Sequence, residues 1–297
     1  MVSFSVIIPT RHRNDDLHKC LAALQSSVAV DLRGSSASAR ANFFGEVIVT
    51  DDGQESTAER MIRERFPWVK WFMGPRRGPA ANRNHGASKA SGEWLVFLDD
   101  DCIPSPDWLN GYRQATVENP TGTIFEGQTI AIGQQQRADV ECPINRTGGH
   151  LWSCNFAVRR ESFISLGGFD ELFPAPYLED IDFQLRAAAA QAVIKFVPEA
   201  AVEHPWRPMR GTSFVRTQAK SINYFIRKHP ETGVNFSRLN FLKRAGRALL
   251  VGLPINLLRY RGGGSLRCLY LDLFLSYCVV VRSRSEAPPV RALNFAK

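Results

Sequence analysis

The sequence has no glycine-rich phosphate loop: neither a GxGxxG nor a Walker pattern occurs in its 297 residues. That argues against ordinary dinucleotide and P-loop sites. Its six cysteines, Cys20, Cys102, Cys142, Cys154, Cys268 and Cys278, form no CxxC pair and no zinc-type spacing. They read as reduced thiols of a cytosolic protein, not as a disulfide or zinc framework. No apolar run reaches the roughly 20 residues a membrane span requires. Gly252 to Pro254 breaks one candidate and Asp272 interrupts another. The opening "MVSFSVIIPTRHRNDD" has an apolar run of about five residues, too short for a signal-peptide core, and is expected to be a buried strand. Acidic residues are scarce towards one end. Residues 205–297 hold 17 Lys+Arg against 3 Asp+Glu, or +14, while residues 1–204 hold 20 against 26, or −6. A basic tail behind an acidic front implies that the tail meets an anionic partner.

What is present is an ordinary globular composition, 44% hydrophobic and 22% charged, which suffices to bury a core. The front half alternates. "FSVIIP" (4–9), "EVIVTDD" (46–52), "VKWFMG" (69–74) and "WLVFLDD" (94–100) are strand-length apolar runs. Between them, "DDLHKCLAALQSS" (15–27), "STAERMIRERF" (56–66, with Ser56 as cap) and "GPAANRNHGASKASG" (78–92) have helical spacing or small-residue helix composition. Alternation of this kind predicts βαβ units and a mostly parallel sheet, whose ligands sit beyond the carboxyl ends of the strands. "VDLRGSSASARANFF" (30–44) reads as a surface loop. Further on, "TGTIFEGQTIAI" (121–132) and "LWSCNFAVRR" (151–160) read as strands and "LEDIDFQLRAAAAQA" (178–192) as a helix. "VIKFVPEAAVEHP" (193–205) reads as a strand followed by an extended segment, which Pro198 and Pro205 interrupt.

Three strands end in polar residues: Pro9-Thr10-Arg11, Asp51-Asp52-Gly53 and Asp99-Asp100-Asp101. Adjacent carboxylates repel by very roughly 1 kcal/mol per pair even in water, so their gathering at one sheet edge asks for a cation. A divalent ion that binds phosphate oxygens fits. A solvated turn that caps a helix starting near Asp107 is the competing reading. Arg76, Arg77 and Arg83 bring positive charge to the start of the helix at 78–92, which suits a diphosphate. Its glycines and alanines would equally serve close packing on the sheet. Glu179, Asp180 and Asp182 crowd the first turn of another helix. There they are either dipole partners or a general base, and the dipole should lower their pKa. Trp152 is either a sugar-stacking ring or core.

"SVIIPTRHRNDDLHKCLAAL", "EVIVTDDGQES", "GPAANRNHGASKASGEWLVFLDDDCIP" and "GGFDELFPAPYLEDIDFQLR", in that order, resemble a family 2 glycosyltransferase over about residues 3–205. The resemblance implies a GT-A fold: an α/β, Rossmann-like, mixed but mostly parallel sheet flanked by helices. It also implies an inverting sugar transferase that uses Mn2+ or Mg2+ and a nucleotide-diphosphate sugar, with a UDP-sugar favoured. Carried over by position, Pro9, Thr10 and Arg11 line the nucleotide pocket. One of Asp51 and Asp52 reads the base, with Arg83 beside the base or phosphates. Asp99, Asp100 and Asp101 match the DxD element, with Asp101 the favoured metal ligand and Asp99 a second. His204 matches a histidine near metal and diphosphate. Asp180 matches the catalytic base, with Glu179 beside it.

The expected organisation is a catalytic domain over 1–205 and a basic helical region over 206–297. The tail's "SFVRTQAKSINYFIRKH" (213–229), "RLNFLKRAGRALLVGLPINLLRYR" (238–261) and "SLRCLYLDLFLSYCVVVRSR" (265–284) admit an anionic membrane surface, a cap, an oligomer contact or an anionic polymer. Nucleic acid is disfavoured by the acidic sheet edge. The acceptor is expected to be a glycan or a lipid-linked sugar in cell-surface polysaccharide or glycolipid assembly, at the cytoplasmic face of a membrane. A metal-dependent nucleotidyltransferase and a non-catalytic nucleotide-sugar binding module are the alternatives.

Overall fold

The computed structural model describes residues 2–33, 45–54, 58–232 and 237–282. Its centre is an eight-stranded sheet built from β1 (Phe4–Thr10), β2 (Glu46–Asp51), β3 (Val69–Met73), β4 (Trp94–Leu98), β5 (Ile103–Pro104), β6 (Ile124–Ala131), β8 (Asn155–Arg159) and β9 (Ile194–His204). The spatial order is β3-β2-β1-β4-β8-β6-β9-β5. The first four are mutually parallel. Their continuous apolar runs are explained by burial on both faces, complete along β1, β2 and β4. β8 runs antiparallel between β4 and β6, and β9 returns parallel to β6. A short β7 (Val140–Glu141) pairs with β10 (Arg207–Pro208) apart from the main sheet. The mixed, mostly parallel sheet is the expected class.

Two expectations are corrected. The segment after the expected strand is not interrupted at Pro198: β9 runs as one strand to His204, next to Pro205. The pairing with β6 jumps from Gly127↔Val197 to Gln128↔Ala201, so a bulge absorbs Pro198, which needs no ladder N–H there. The loop expected at 30–44 starts too early. The first helix, α1 (Asn14–Arg33), runs to Arg33 because no Gly or Pro interrupts it before Gly34. Residues 34–44 of that loop, and Ser56, lie outside the described residues.

Four helices between strands flank the sheet: α1, α2 (Ala58–Arg65), α3 (Pro79–Lys89) and α4 (Trp108–Glu118). α3 lies so close to β1 that a Cβ on Gly86 would come within 2.5 Å of Ile7 Cγ2. The close-packing reading of its small residues therefore holds. Beneath the far end of the sheet, Phe97, Phe156, Phe163, Phe169 and Phe183 form a buried aromatic cluster. Truncating one such ring typically costs about 3–5 kcal/mol. α5 (Arg160–Ser165) and α6 (Glu179–Ala189) pack on this cluster through Phe163 and Phe183.

The C-terminal part is helical: α7 (Thr212–Lys228), a chain running from α8 (Arg238–Arg247) through a π turn into α9 (Leu253–Arg259), and α10 (Ser265–Tyr277), which a π turn extends to Arg282. A third core joins this part to the base of α6. It gathers Phe173, Leu178, Val215, Ile222, Phe225 and Leu275, with Ile181 and Leu185 of α6 packed against it.

Candidate active site

The carboxyl ends of β1, β2 and β4 open on one edge of the sheet, where α6 and the end of β9 close the cleft. Asp100 and Asp101 are buried rather than solvated, and neither caps α4, whose N-cap residue Asp107 makes no side-chain capping bond. The helix-cap reading of the acidic triplet is set aside. Each of its carboxylates meets an arginine. Arg83 Nη2 donates to Asp99 Oδ1 at 2.6 Å. Arg13 Nη1 donates to Asp100 Oδ1 at 3.0 Å and to Asp101 Oδ2 at 3.2 Å. Arg207 Nε donates to Asp101 Oδ2 at 3.0 Å, and its Nη2 to Asp16 Oδ2 at 2.7 Å. Thr10 Oγ1 donates to the second Asp100 oxygen at 2.7 Å. Burial still pushes Asp100 up to about 7, against the pull of Arg13.

Asp101 Oδ1, though buried, has no hydrogen-bond partner. It faces His204 Nε2 at 3.4 Å. His204 Nδ1 lies 2.7 Å from the Pro205 carbonyl oxygen, which can only accept, so the ring proton sits on Nδ1. Asp101 Oδ1 and His204 Nε2 thus converge on one point, and this pair would hold a divalent cation. An oxygen and an imidazole nitrogen suit Mn2+ or a similar ion. Cys102 Sγ belongs to the same group, all within 4.8 Å. Burial raises its pKa far above that of an ordinary thiol, which leaves it a poor ligand for a hard ion.

Opposite lies the first turn of α6. It starts from Leu178 in the left-handed conformation, φ 75°, an uncommon state for a branched side chain. That twist leads directly into Glu179 and Asp180. Arg83 Nη1 stands 3.6 Å from Glu179 Oε1, so one guanidinium links the triplet to this turn. Glu179 is buried and Asp180 half-buried. The helix dipole does not set their acidity as expected. Burial and the neighbouring Asp180 charge push Glu179 up to about 8 against Arg83. Burial also raises Asp180, against the Ile181 N–H and Arg83. A raised carboxylate is a stronger base, which is what proton abstraction requires.

The remaining candidates are distributed around this corner. Pro9 and Thr10 end β1 in the buried floor, and Arg11 is exposed on the turn that follows. Asp51 pairs with Thr10 in the sheet and its Oδ1 accepts the Gly53 N–H at 2.8 Å. Asp52 accepts the Arg76 N–H at 2.7 Å and the Gly78 N–H at 3.0 Å, so both its oxygens secure the turn before α3. Trp152 is half-buried, donates to the Ile144 carbonyl and stacks on exposed His150, rings 5.3 Å apart and 10° from parallel. The loop before it is tied down by Glu126, which accepts from Gly149 and His150 N–H; Gly148 and Gly149 there have φ of 86° and 91°. Sequence reasoning missed Arg13, Arg207 and Cys102. Arg13 had a signal, the Arg-x-Arg spacing after β1; Arg207, 106 residues from Asp101, had none.

Residues 5–137 match the family model described as glycosyl transferase family 2. The chain is 27% identical over 249 residues to an uncharacterized glycosyltransferase of Haemophilus influenzae, which covers 76% of each chain. It is 31% identical over 106 residues to a GalNAc(5)-diNAcBac-PP-undecaprenol beta-1,3-glucosyltransferase of Campylobacter jejuni. That match covers 34% of this chain and 30% of the relative. Among solved structures, the Pyrobaculum calidifontis mannosyltransferase PcManGT, in complex with GDP-Man and Mn2+, superimposes with a TM-score of 0.58 at 18% identity, over 93% of this chain and 86% of that one. Staphylococcus aureus TarS 1–349 in complex with UDP gives 0.57 at 16% identity, over 94% and 90%. At these identities the superpositions speak for the fold.

Proposed function

We propose that this chain, a family 2 glycosyltransferase by its residues 5–137, transfers a sugar with inversion from a nucleotide-diphosphate sugar, a UDP-sugar by preference, to an acceptor hydroxyl. One observation carries the reading. Two carboxylates of raised basicity, Glu179 and Asp180, lie close to a buried carboxylate and imidazole that would hold a cation.

Asp101 and His204, with Asp99 near, would hold the divalent ion. When bound, it neutralises diphosphate charge and so favours departure of the nucleoside diphosphate. Arg13 and Arg207, which already hold Asp100 and Asp101, present further positive charge to the same group. Thr10, Asp51 and Arg83 stand where base, ribose and phosphates would lie; Asp52 supports them by fixing the turn at 76–78. Asp180 accepts the proton of the acceptor hydroxyl. The hydroxyl oxygen bonds to the anomeric carbon as the bond from that carbon to the phosphate oxygen breaks, on the opposite face. Glu179 keeps Arg83 close to the departing charge.

The Campylobacter relative is named for GalNAc(5)-diNAcBac-PP-undecaprenol, a lipid-linked diphosphate glycan, which supports a glycan or lipid-linked acceptor here and a place in cell-surface polysaccharide or glycolipid assembly. A cytoplasmic, membrane-peripheral location fits such an acceptor. No helix of the described residues is long and apolar enough to cross a membrane. The test is a panel of UDP-, GDP- and dTDP-sugars with Mn2+, read as slow donor hydrolysis. Release of pyrophosphate from a nucleoside triphosphate would instead make the chain a nucleotidyltransferase, and neither reaction would leave a binding module.

A further inference from the structure

We infer that the exposed face of α8, α9 and α10 is a docking surface for an anionic lipid leaflet. The inference deepens the sugar-transfer reading by naming the surface on which the acceptor is met. The first observation is an uncharged stretch, Ala248–Leu258, eleven residues of helix bounded by Arg247 on one side and by Arg259 and Arg261 on the other. An apolar helix of this length normally lies in a protein core or at a membrane interface. This one is not in a core: Leu249, Leu250, Val251, Ile255, Leu257 and Leu258 are all exposed, Leu250 by 75% and Leu258 by 83%.

At 1.5 Å per residue the stretch is about 16 Å long, near half the hydrocarbon thickness of a bilayer. With an arginine at each end it cannot enter end-on without burying a charge. Lying flat, it keeps both ends at the headgroups while its leucines enter the acyl boundary.

The second observation comes from α10, which has two apolar faces. Leu271, Leu275, Cys278 and Val279 are buried in the third core, while Leu266, Tyr270, Leu273, Tyr277 and Val281 are exposed. The exposed set recurs every three or four residues and so forms one stripe along the helix. Tyrosines with an apolar body and a polar tip suit a headgroup boundary. The third observation is charge. Lys243, Arg247, Arg259 and Arg261 flank the leucines in sequence, while Arg244 is held by Asp272 at 2.6 Å and Arg267 by Asp139 at 2.9 Å. Apolar area rimmed by unbalanced positive charge complements an anionic leaflet. A second copy of this chain would bring the same positive rim against itself.

The experiment uses the full chain and sucrose-loaded vesicles of phosphatidylcholine with about 25% phosphatidylglycerol, read by co-sedimentation. The chain should pellet with these vesicles, pellet much less with pure phosphatidylcholine, and come off as NaCl rises from ~0.1 to ~0.5 M. Leu250→Glu with Leu258→Glu should lower partitioning about tenfold or more, and each of Arg247→Gln and Arg259→Gln about fivefold. Circular dichroism shows whether each variant folds; the lipid and salt series on the unaltered chain tests the surface without any variant. A chain that stays in the supernatant with every vesicle overturns the inference. So does equal binding by the folded double leucine variant, or a dimer in sedimentation velocity that this variant breaks. Donor hydrolysis in the same samples separates the two readings. Hydrolysis without vesicle binding removes the docking surface alone, and vesicle binding without hydrolysis removes sugar transfer alone.

Discussion

Arg83 touches both carboxylate groups of the cleft, with Nη2 at 2.6 Å from Asp99 and Nη1 at 3.6 Å from Glu179. It is buried, and its positive charge is the main influence holding down Glu179 and, after the Ile181 N–H hydrogen bond, the next one holding down Asp180, two carboxylates that burial pushes up. Loss of that charge raises both pKa values further, so a larger share of the base is protonated at neutral pH. Arg83→Met should move the acidic limb of the kcat/KM profile to higher pH, and Arg83→Lys should move it less. A limb that stays in place in the methionine variant disconnects Arg83 from the base.

Asp180→Asn would remove the proposed proton acceptor and leave the proposed metal ligands Asp101 and His204 unaltered. Donor binding, measured calorimetrically with Mn2+, should be unchanged, and transfer should fall by about 10²-fold or more. Full transfer by this variant assigns the base elsewhere, with Glu179 the next residue to replace.

Asp101→Asn replaces the carboxylate, with its unpartnered Oδ1, by a neutral amide. Mn2+-dependent donor affinity should fall by about 100-fold. Chelation of the unaltered chain with EDTA should reproduce that loss, and EDTA should add nothing to the variant. Sugar-nucleotide binding indifferent to both treatments would leave the cleft without a functional metal.

Asp182, two residues past the proposed base, anchors α6 to the C-terminal helices. It is completely buried among His229 Nε2 at 2.8 Å, Arg186 Nη2 at 2.8 Å and Lys228 Nζ at 2.7 Å. Burial alone would raise it, but the His229 hydrogen bond and the Arg186 and Lys228 charges hold it at about 2. A depressed carboxylate contributes stability above its unfolded pKa of roughly 3.9 and loses it as pH falls towards 2. Asp182→Asn should cost about 3 kcal/mol in urea denaturation at pH 7. The gap between the two proteins should narrow progressively between about pH 4 and pH 2.

Much of the parallel half of the sheet was legible because burial on both faces writes continuous apolar runs, as in Val6–Ile8 and Val47–Val49. Strand direction was not. "NFAVR" alternates alike whether parallel or antiparallel, so the insertion of β8 between β4 and β6 has no sequence signature. That Asp101 lies just past a strand end and Asp180 starts a helix was legible from local pattern, since strand end and helix start are local events. The acidity of Asp180 was not, because burial under distant segments outweighs the local dipole there. Arg207 reaches Asp101 only through the fold.

The core shared by α6 and the C-terminal helices joins the two ends of the charge gradient. Leu178, whose left-handed backbone launches the base turn, lies in the same apolar cluster as Leu271 and Leu275. A protein cut after residue 205 would therefore lose Arg207 from Asp101 and the apolar backing of α6 together. The buried stripe of α10 is therefore inherited with the α6 turn that it backs, and changes to the exposed leucines of α9 and α10 are tolerable only if they leave that stripe in place.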